Sequence, residues 1–121
     1  MSDPTPDPLA DLAITLRAER DLWTLATFAW SLSAVLVGSG YVAYVGGLVL
    51  QAGDNMLTPV HASPGVGGIA GASHYTKEEA TRIAALHGGG YRAVHYRDVP
   101  HIRIAEIDEM LGFLGARAEV A

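Results

Sequence analysis

The sequence has 121 residues, no cysteine and a formal net charge of −5, and these three facts exclude several classes of function. Without cysteine there are neither disulfides nor thiol chemistry, and an acidic chain is a poor match for a phosphate backbone, so we expect no nucleic-acid partner. The length predicts one domain over residues 8–121, large enough to bury a core, and nothing in the composition calls for a cofactor.

Residues 1–7 are predicted to be a flexible leader, directly followed by a helix. Asp7 can accept hydrogen bonds from the first helical N–H groups, and Pro8 is favoured at the first helical position. An apolar stripe at helical spacing follows: Leu9, Leu12, Ala13 and Leu16. We expect this helix to end at about Trp23.

The segment from Leu22 to Gly53 contains no charged residue, and one interpretation is a pair of buried strands. Large and small side chains alternate over residues 28–37, which is the period of a strand. A Gly-Ser-Gly turn at 38–40 precedes the aromatic, β-branched and aliphatic residues of 41–50. Two such runs across a short glycine turn predict a β-hairpin.

The same segment can also be helical. Five of its apolar residues share one helical face: Leu22, Leu25, Ala29, Leu32 and Val35. It is long and apolar enough for a single membrane span, and Arg17 and Arg20 before it indicate a cytoplasmic N-terminus. The alternative localisations are therefore the cytoplasm, since the acidic, proline-rich N-terminus is unlike a secretory signal, or the inner membrane.

Turn and cap signals define the next elements. Gly53-Asp54-Asn55 predicts a turn before a short strand over Met56–Val60, and the small residues of 61–73 predict a loop. The sequence from Thr76 to Glu79 is a capping box, in which each side chain can bond the backbone N–H of the other. It predicts a helix that ends at His87, before three consecutive glycines.

A strand is predicted over Tyr91–Tyr96, bounded by Pro100. A final amphipathic helix is predicted from about residue 102 or 103 to residue 114, with Gly115 as its stop. The complete order is an N-terminal helix, β-hairpins, a capped helix, a strand and a C-terminal helix. This order predicts an α+β fold whose helices cover one face of a mostly antiparallel sheet.

One pattern within residues 70–96 combines an aromatic residue before Thr-x-Glu-Glu-Ala, an Ile-Ala pair, a glycine break and Tyr-Arg-x-Val. The residues that carry it are Tyr75, Thr76, Glu78, Glu79, Ala80, Ile83, Ala84, Tyr91, Arg92 and Val94. The pattern resembles small uncharacterised accessory proteins of phages and mobile elements, in which a β-hairpin precedes a helix–strand unit. The resemblance implies an accessory protein and identifies no activity.

Histidines near the end of the last strand suggest a metal site. His95, Asp98 and His101 could supply two nitrogens and one oxygen to a zinc ion. The alternative is that these side chains lie at the surface where the strand ends.

Arginines interleaved with aromatic residues suggest an anion site in the same region. Arg92, Tyr96, Arg97 and Arg103 could bind a small anionic ligand by stacking and phosphate contact. The alternative is a solvated face of the sheet.

The favoured hypothesis is a small, phage-like, non-enzymatic accessory protein that binds a protein partner or a small anionic ligand. Half of the residues are hydrophobic, which favours burial of the surplus at a homo-oligomer interface. Two alternatives remain: an accessory subunit with a single membrane span within residues 22–53, and a histidine-based metal enzyme.

Overall fold

The computed structural model describes residues 7–31, 40–65 and 68–120. Its elements are α1 (Pro8–Ser31), β1 (Tyr41–Val45), β2 (Leu48–Gly53), β3 (Met56–His61), β4 (Ser63–Gly65), β5 (Gly68–Ala70), α2 (Lys77–His87), β6 (Arg92–His95) and α3 (Val99–Val120). The predicted α+β fold is confirmed, in the predicted order of elements.

The main sheet has four antiparallel strands in the order β3-β2-β1-β6. Strands β1, β2 and β3 form a meander with two tight turns, at Gly46-Gly47 and at Asp54-Asn55. All four turn residues have positive φ, 49° and 87° in the first turn and 46° and 62° in the second. This is the conformation of a type I′ turn, whose twist matches that of the strands it joins.

Helices cover both faces of the sheet, which corrects the expectation of one covered face. Val42 and Tyr44 belong to the core under α1 and α3, whereas Ala43 packs with Ala84 of α2. Successive side chains of a strand point to opposite faces. Because β1 (Tyr-Val-Ala-Tyr-Val) is apolar at every position, it is suited to burial on both sides.

Helix α1 is longer than predicted. It continues beyond the expected end at Trp23 to Ser31, so the strand predicted over residues 28–31 is wrong. The helix continues because Trp23, Ala26 and Trp30 recur at helical spacing and all three are buried. The predicted turn at residues 38 and 39 and the predicted strand over 32–37 lie outside the described residues. The hairpin turn lies instead at Gly46-Gly47.

A single helix through residues 22–53 does not form, because residues 41–45 and 48–53 are the strands β1 and β2. None of the helices in the described part of the chain combines the length and the apolar character that a membrane crossing requires.

The strand predicted at Met56–Val60 is confirmed, with one further residue at its end. The loop predicted over residues 61–73 is wrong in part, because it contains the short hairpin β4–β5, paired from Ser63 with Ala70 to Gly65 with Gly68. Small residues and glycine had indicated a loop, but they also permit a tight two-stranded ribbon.

The cap at Asp7 forms as predicted, whereas the capping box at Thr76 forms in part, since its Glu79 carboxylate binds the Thr76 hydroxyl and not the Thr76 N–H. The Leu9 N–H donates to Oδ1 of Asp7 over 3.0 Å, while residues 1–6 of the predicted leader lie outside the described residues. At the start of α2 the Glu79 N–H donates to the Thr76 hydroxyl (3.2 Å), which itself donates to the Glu79 carboxylate (2.9 Å). The strand predicted at Tyr91–Tyr96 is confirmed as β6.

Helix α3 begins and ends outside its predicted bounds. It begins at Val99, with the Ile102 N–H donating to the carbonyl of Asp98 (3.0 Å), and Pro100 is tolerated because the first turn needs no N–H from it. It continues through Gly115, since glycine within a helix costs only about 1 kcal/mol relative to alanine and does not block the helix sterically.

Replacement of the α2 cap, Thr76→Ala, is expected to lower the free energy of unfolding by about 1 kcal/mol, because the Glu79 N–H loses its acceptor. Thr81→Ala, an exposed substitution within the same helix, is the matched control and is expected to change stability by less than about 0.5 kcal/mol. The measurement is the midpoint of urea unfolding at unchanged m-value. Equal effects of the two substitutions would contradict the prediction.

Candidate functional site

Helix α1 has apolar residues on two separate faces, about 125° apart around the helix axis. Its inner face holds buried side chains of the core: Leu16, Trp23, Ala26 and Trp30. Its outer face holds a second row of apolar side chains, which we call the outer stripe: Ile14, Ala18, Leu22, Leu25 and Ala29. The large members are 62% (Ile14), 55% (Leu22) and 66% (Leu25) exposed, and both alanines are exposed as well.

The spacing of the outer stripe is that of a helix–helix contact. Successive members are four, four, three and four positions apart, so at about 100° per residue they fall within a sector of roughly 80°. The prediction that Leu22, Leu25 and Ala29 share one helical face is confirmed. Most of that face is turned toward solvent, and its edge at Ala18 and Leu22 borders a cleft between α1 and the β1–β2 turn. The other two residues assigned to it, Leu32 and Val35, lie outside the described residues.

Two ion pairs join α1 to α3. Arg103 donates from Nε and Nη2 to the two carboxylate oxygens of Glu19 over 2.6 and 3.0 Å, and both side chains are largely shielded from solvent. Arg20 and Asp108 form a second pair of similar geometry (2.6 and 3.3 Å), but both of these side chains are exposed. The first pair is therefore expected to contribute much more to stability.

The Glu19–Arg103 pair belongs to a larger network between α1, α3 and the sheet. The indole N–H of Trp23 donates to Glu19 (3.0 Å), Arg103 also contacts Glu106 (3.5 Å), and the hydroxyl of the buried Tyr44 donates to Glu106. We call these five residues the α1–α3 network. Each polar group in it has a partner, which is the condition for a partly buried ionic group to be stable.

The network changes the acidity of its members. Burial acts to raise the pKa of Glu19, but hydrogen bonds from Arg103 and Trp23 outweigh it and leave that pKa lowered. The pKa of Arg103 is raised, mainly by its hydrogen bond to Glu19. Burial, followed by the hydrogen bond to Glu106, raises the pKa of Tyr44 well above its usual value. At neutral pH the ion pair is charged and the Tyr44 hydroxyl is protonated.

A cleft of about 530 Å³ lies beside this network, between α1 and the β1–β2 turn. Glu19 and Arg103 line it together with apolar residues that include Leu22, Leu48 and Pro64. The guanidinium lies so close to the backbone that a Cβ on Gly47 would be 2.9 Å from Cζ of Arg103. Two carboxylates already neutralise Arg103, so the cleft offers little attraction to an anion.

The four predicted anion-binding residues do not form one cationic surface. Arg92 is exposed on β6, and Tyr96 is only 1% exposed and belongs to the core. Arg97 donates from Nη2 to the carbonyl of Trp30 (3.4 Å), near the end of α1, and Arg103 belongs to the α1–α3 network. The closeness of these residues in the sequence did not reveal that they lie apart in the structure, because the chain turns between β6 and α3.

The predicted metal ligands are not assembled either. The His95 ring packs against Tyr41 and Tyr96, and its Nδ1 accepts the Arg97 N–H (3.3 Å), whereas Asp98 and His101 are exposed. Within residues 7–31, 40–65 and 68–120, no three histidine or carboxylate side chains form a group that could hold a metal ion. The predicted set fails because the half-buried His95 is held by its own neighbours in β1 and the following turn.

Sequence inspection did not identify Glu19, Glu106 or Tyr44 as members of a site. Glu19 and Arg103 are 84 positions apart and Tyr44 and Glu106 are 62 apart, so no local motif marks them. The sequence could have assigned Ile14 and Ala18 to the outer stripe, since their helical spacing extends the face of Leu22 toward the N-terminus.

Comparison with known proteins found no matching protein-family model, no matching curated protein and no matching solved structure.

Replacement of Arg103 by methionine is expected to destabilise the protein by about 2–4 kcal/mol, because Glu19 and Glu106 are then left partly buried and without their cation. Arg20→Met, which breaks the exposed pair between the same two helices, is the matched control and is expected to have a much smaller effect. Thermal and urea unfolding measure the loss of stability in both variants. Equal losses would contradict the assigned role of the network.

The lowered pKa of Glu19 also predicts a pH dependence. Since the folded protein holds this carboxylate ionised below its ordinary pKa of 4.5, the unfolded chain takes up the proton first. The stabilisation is complete above that value and is lost as the pH falls through the lowered pKa. Glu19→Gln is therefore expected to be less stable than the wild type at pH 7, by a difference that shrinks toward about pH 3. Glu109→Gln, on the exposed side of α3, is expected to keep the wild-type pH profile.

Proposed function

We propose that this protein is a small non-enzymatic accessory protein that binds other protein chains, first of all copies of itself, through the outer stripe of α1. The observation that carries the proposal is the alignment of Ile14, Leu22 and Leu25, each more than half exposed, on one face of a helix whose other face is in the core. An exposed apolar surface of this kind is typical of an interaction site.

Alignment distinguishes the stripe from other exposed apolar side chains. Met56 on β3 and Leu86 on α2 are 67% and 78% exposed, but each stands alone on its element, which is common in soluble domains. In the stripe, one partner surface can cover all the large side chains at once. Full burial of one such side chain contributes about 1.5–3 kcal/mol.

The stripe is also held in place before any partner binds. The inner face of α1 is packed by Trp23 and Trp30, whose rings contact each other at 6.0 Å between centroids, and ion pairs to α3 fix the helix laterally. A preformed surface loses little conformational entropy on binding, so more of the gain from burial is kept as affinity.

Binding of a small anionic ligand has less support. It depended on Arg92, Arg97 and Arg103 acting together, but each of these residues has different neighbours and Arg103 is matched by Glu19 and Glu106. A protein partner is therefore the better-supported part of the hypothesis.

The test is a concentration series by size-exclusion chromatography with light scattering on the wild type, Leu25→Glu and Leu86→Glu. We expect the wild type to self-associate and Leu25→Glu to be monomeric, because the charge replaces one of the three large apolar side chains of the stripe and occurs twice in the contact. Leu86→Glu, at an equally exposed leucine of α2, is expected to keep the wild-type mass. A wild type that stays monomeric up to several hundred micromolar, or identical behaviour of both variants, would overturn self-association through the stripe.

A further inference from the structure

We infer that the outer stripe pairs with the outer stripe of a second copy of this chain in an antiparallel, twofold arrangement whose axis passes between Ala18 and Leu22. The inference rests on the proposed self-association and adds its orientation and register. A twofold contact is self-complementary: if one residue faces another across it, the reverse contact is also made.

Side-chain size favours this register. With the axis between Ala18 and Leu22, Ala18 of each copy faces Leu22 of the other, and Ile14 faces Leu25 at both ends of the contact. A small residue then lies opposite a large one on both sides of the axis, which lets the helices approach closely with interdigitating side chains. All four residues are exposed on the single chain.

Charge selects the antiparallel orientation. Arg17 and Asp21 are one helical turn apart on the same edge of the stripe; both are exposed, and neither forms an ion pair within the described residues. An antiparallel twofold axis brings each edge against the same edge of the other copy. Arg17 of one copy then faces Asp21 of the other, and the contact occurs twice. A parallel pair would place this edge against the opposite edge, away from Asp21.

The size of the surface indicates a reversible dimer. From Ile14 to Ala29 the stripe is about 22 Å long, and a helix with its side chains is about 10 Å wide. The area covered by this length and width is well below the roughly 800 Å² that each partner buries in a standard stable interface. We therefore expect dissociation in the micromolar range, and the experiments use protein at about 10–500 µM.

Because the chain has no cysteine, single cysteines report the orientation directly. Ile14→Cys and Leu25→Cys, differing in mass by a short tag on one of them, are mixed and oxidised, and the disulfides are identified by mass. We expect the mixed disulfide to exceed each self-disulfide at least fivefold. Predominant self-disulfides at both positions would show a parallel pair and overturn the inference while leaving self-association intact. No disulfide at either position in a monomeric sample would reject the proposed function as well.

Charge exchange tests the register independently. Arg17→Glu and Asp21→Lys are each expected to weaken dimerisation about tenfold, since each places like charges opposite one another, and the double variant is expected to restore it to within about threefold of the wild type. Circular dichroism of each variant establishes that α1 is retained. A double variant no better than the single ones would overturn the pairing of Arg17 with Asp21.

Discussion

The ion pair between Glu19 and Arg103, next to the buried Trp23, holds α1 in its orientation on the rest of the molecule. Helix α1 is apolar on two faces about 125° apart, and the inner face holds the large buried rings of Trp23 and Trp30, so hydrophobic burial and the ion pair favour the same orientation of the helix. Glu19 lies beside Trp23 on the inner side, where Arg103 binds both of its carboxylate oxygens and Trp23 donates to it. Turning the helix by about a third of a revolution would bury Leu22 and Leu25, but it would expose Trp23 and Trp30 and leave Arg103 and Glu106 without Glu19. Packing of the two tryptophans and the α1–α3 network together set the rotation of α1, and the exposure of the outer stripe is a consequence of that rotation.

The same network bears on which of the proposed kinds of binding is better supported. Arg103 lines the cleft of about 530 Å³, and its charge is matched there by Glu19 and Glu106. Because Arg103 is already paired with these two carboxylates, it attracts an anionic ligand only weakly. What remains accessible is an apolar helix face with Arg17 and Asp21 along one edge. Such a face is suited to another helix, and the proposed pairing of two copies would place these opposite charges against each other.

The predicted site residues illustrate why proximity in sequence is a poor guide here. His95, Tyr96 and Asp98 lie within four positions, but the chain leaves β6 through a tight turn and enters α3 at once. Tyr96 consequently enters the core, the His95 ring packs against Tyr41, and Asp98 remains exposed. The residues that do converge, Glu19 with Arg103 and Tyr44 with Glu106, are brought together by packing of α1 and the sheet against α3. A single sequence contains no signal for such distant pairs.

The sequence by itself determined the features that depend on neighbouring residues. The caps at Asp7 and Thr76, the period that places Leu22, Leu25 and Ala29 on one face, and the succession of helices and strands all follow from local backbone chemistry. Tertiary structure decided the length of α1, the burial of both faces of β1 and the choice of which apolar face of α1 is buried. The spacing of apolar residues along α1 indicates only that they share a face of the helix. Whether that face meets the core or the solvent depends on partners such as Arg103, which are distant along the chain.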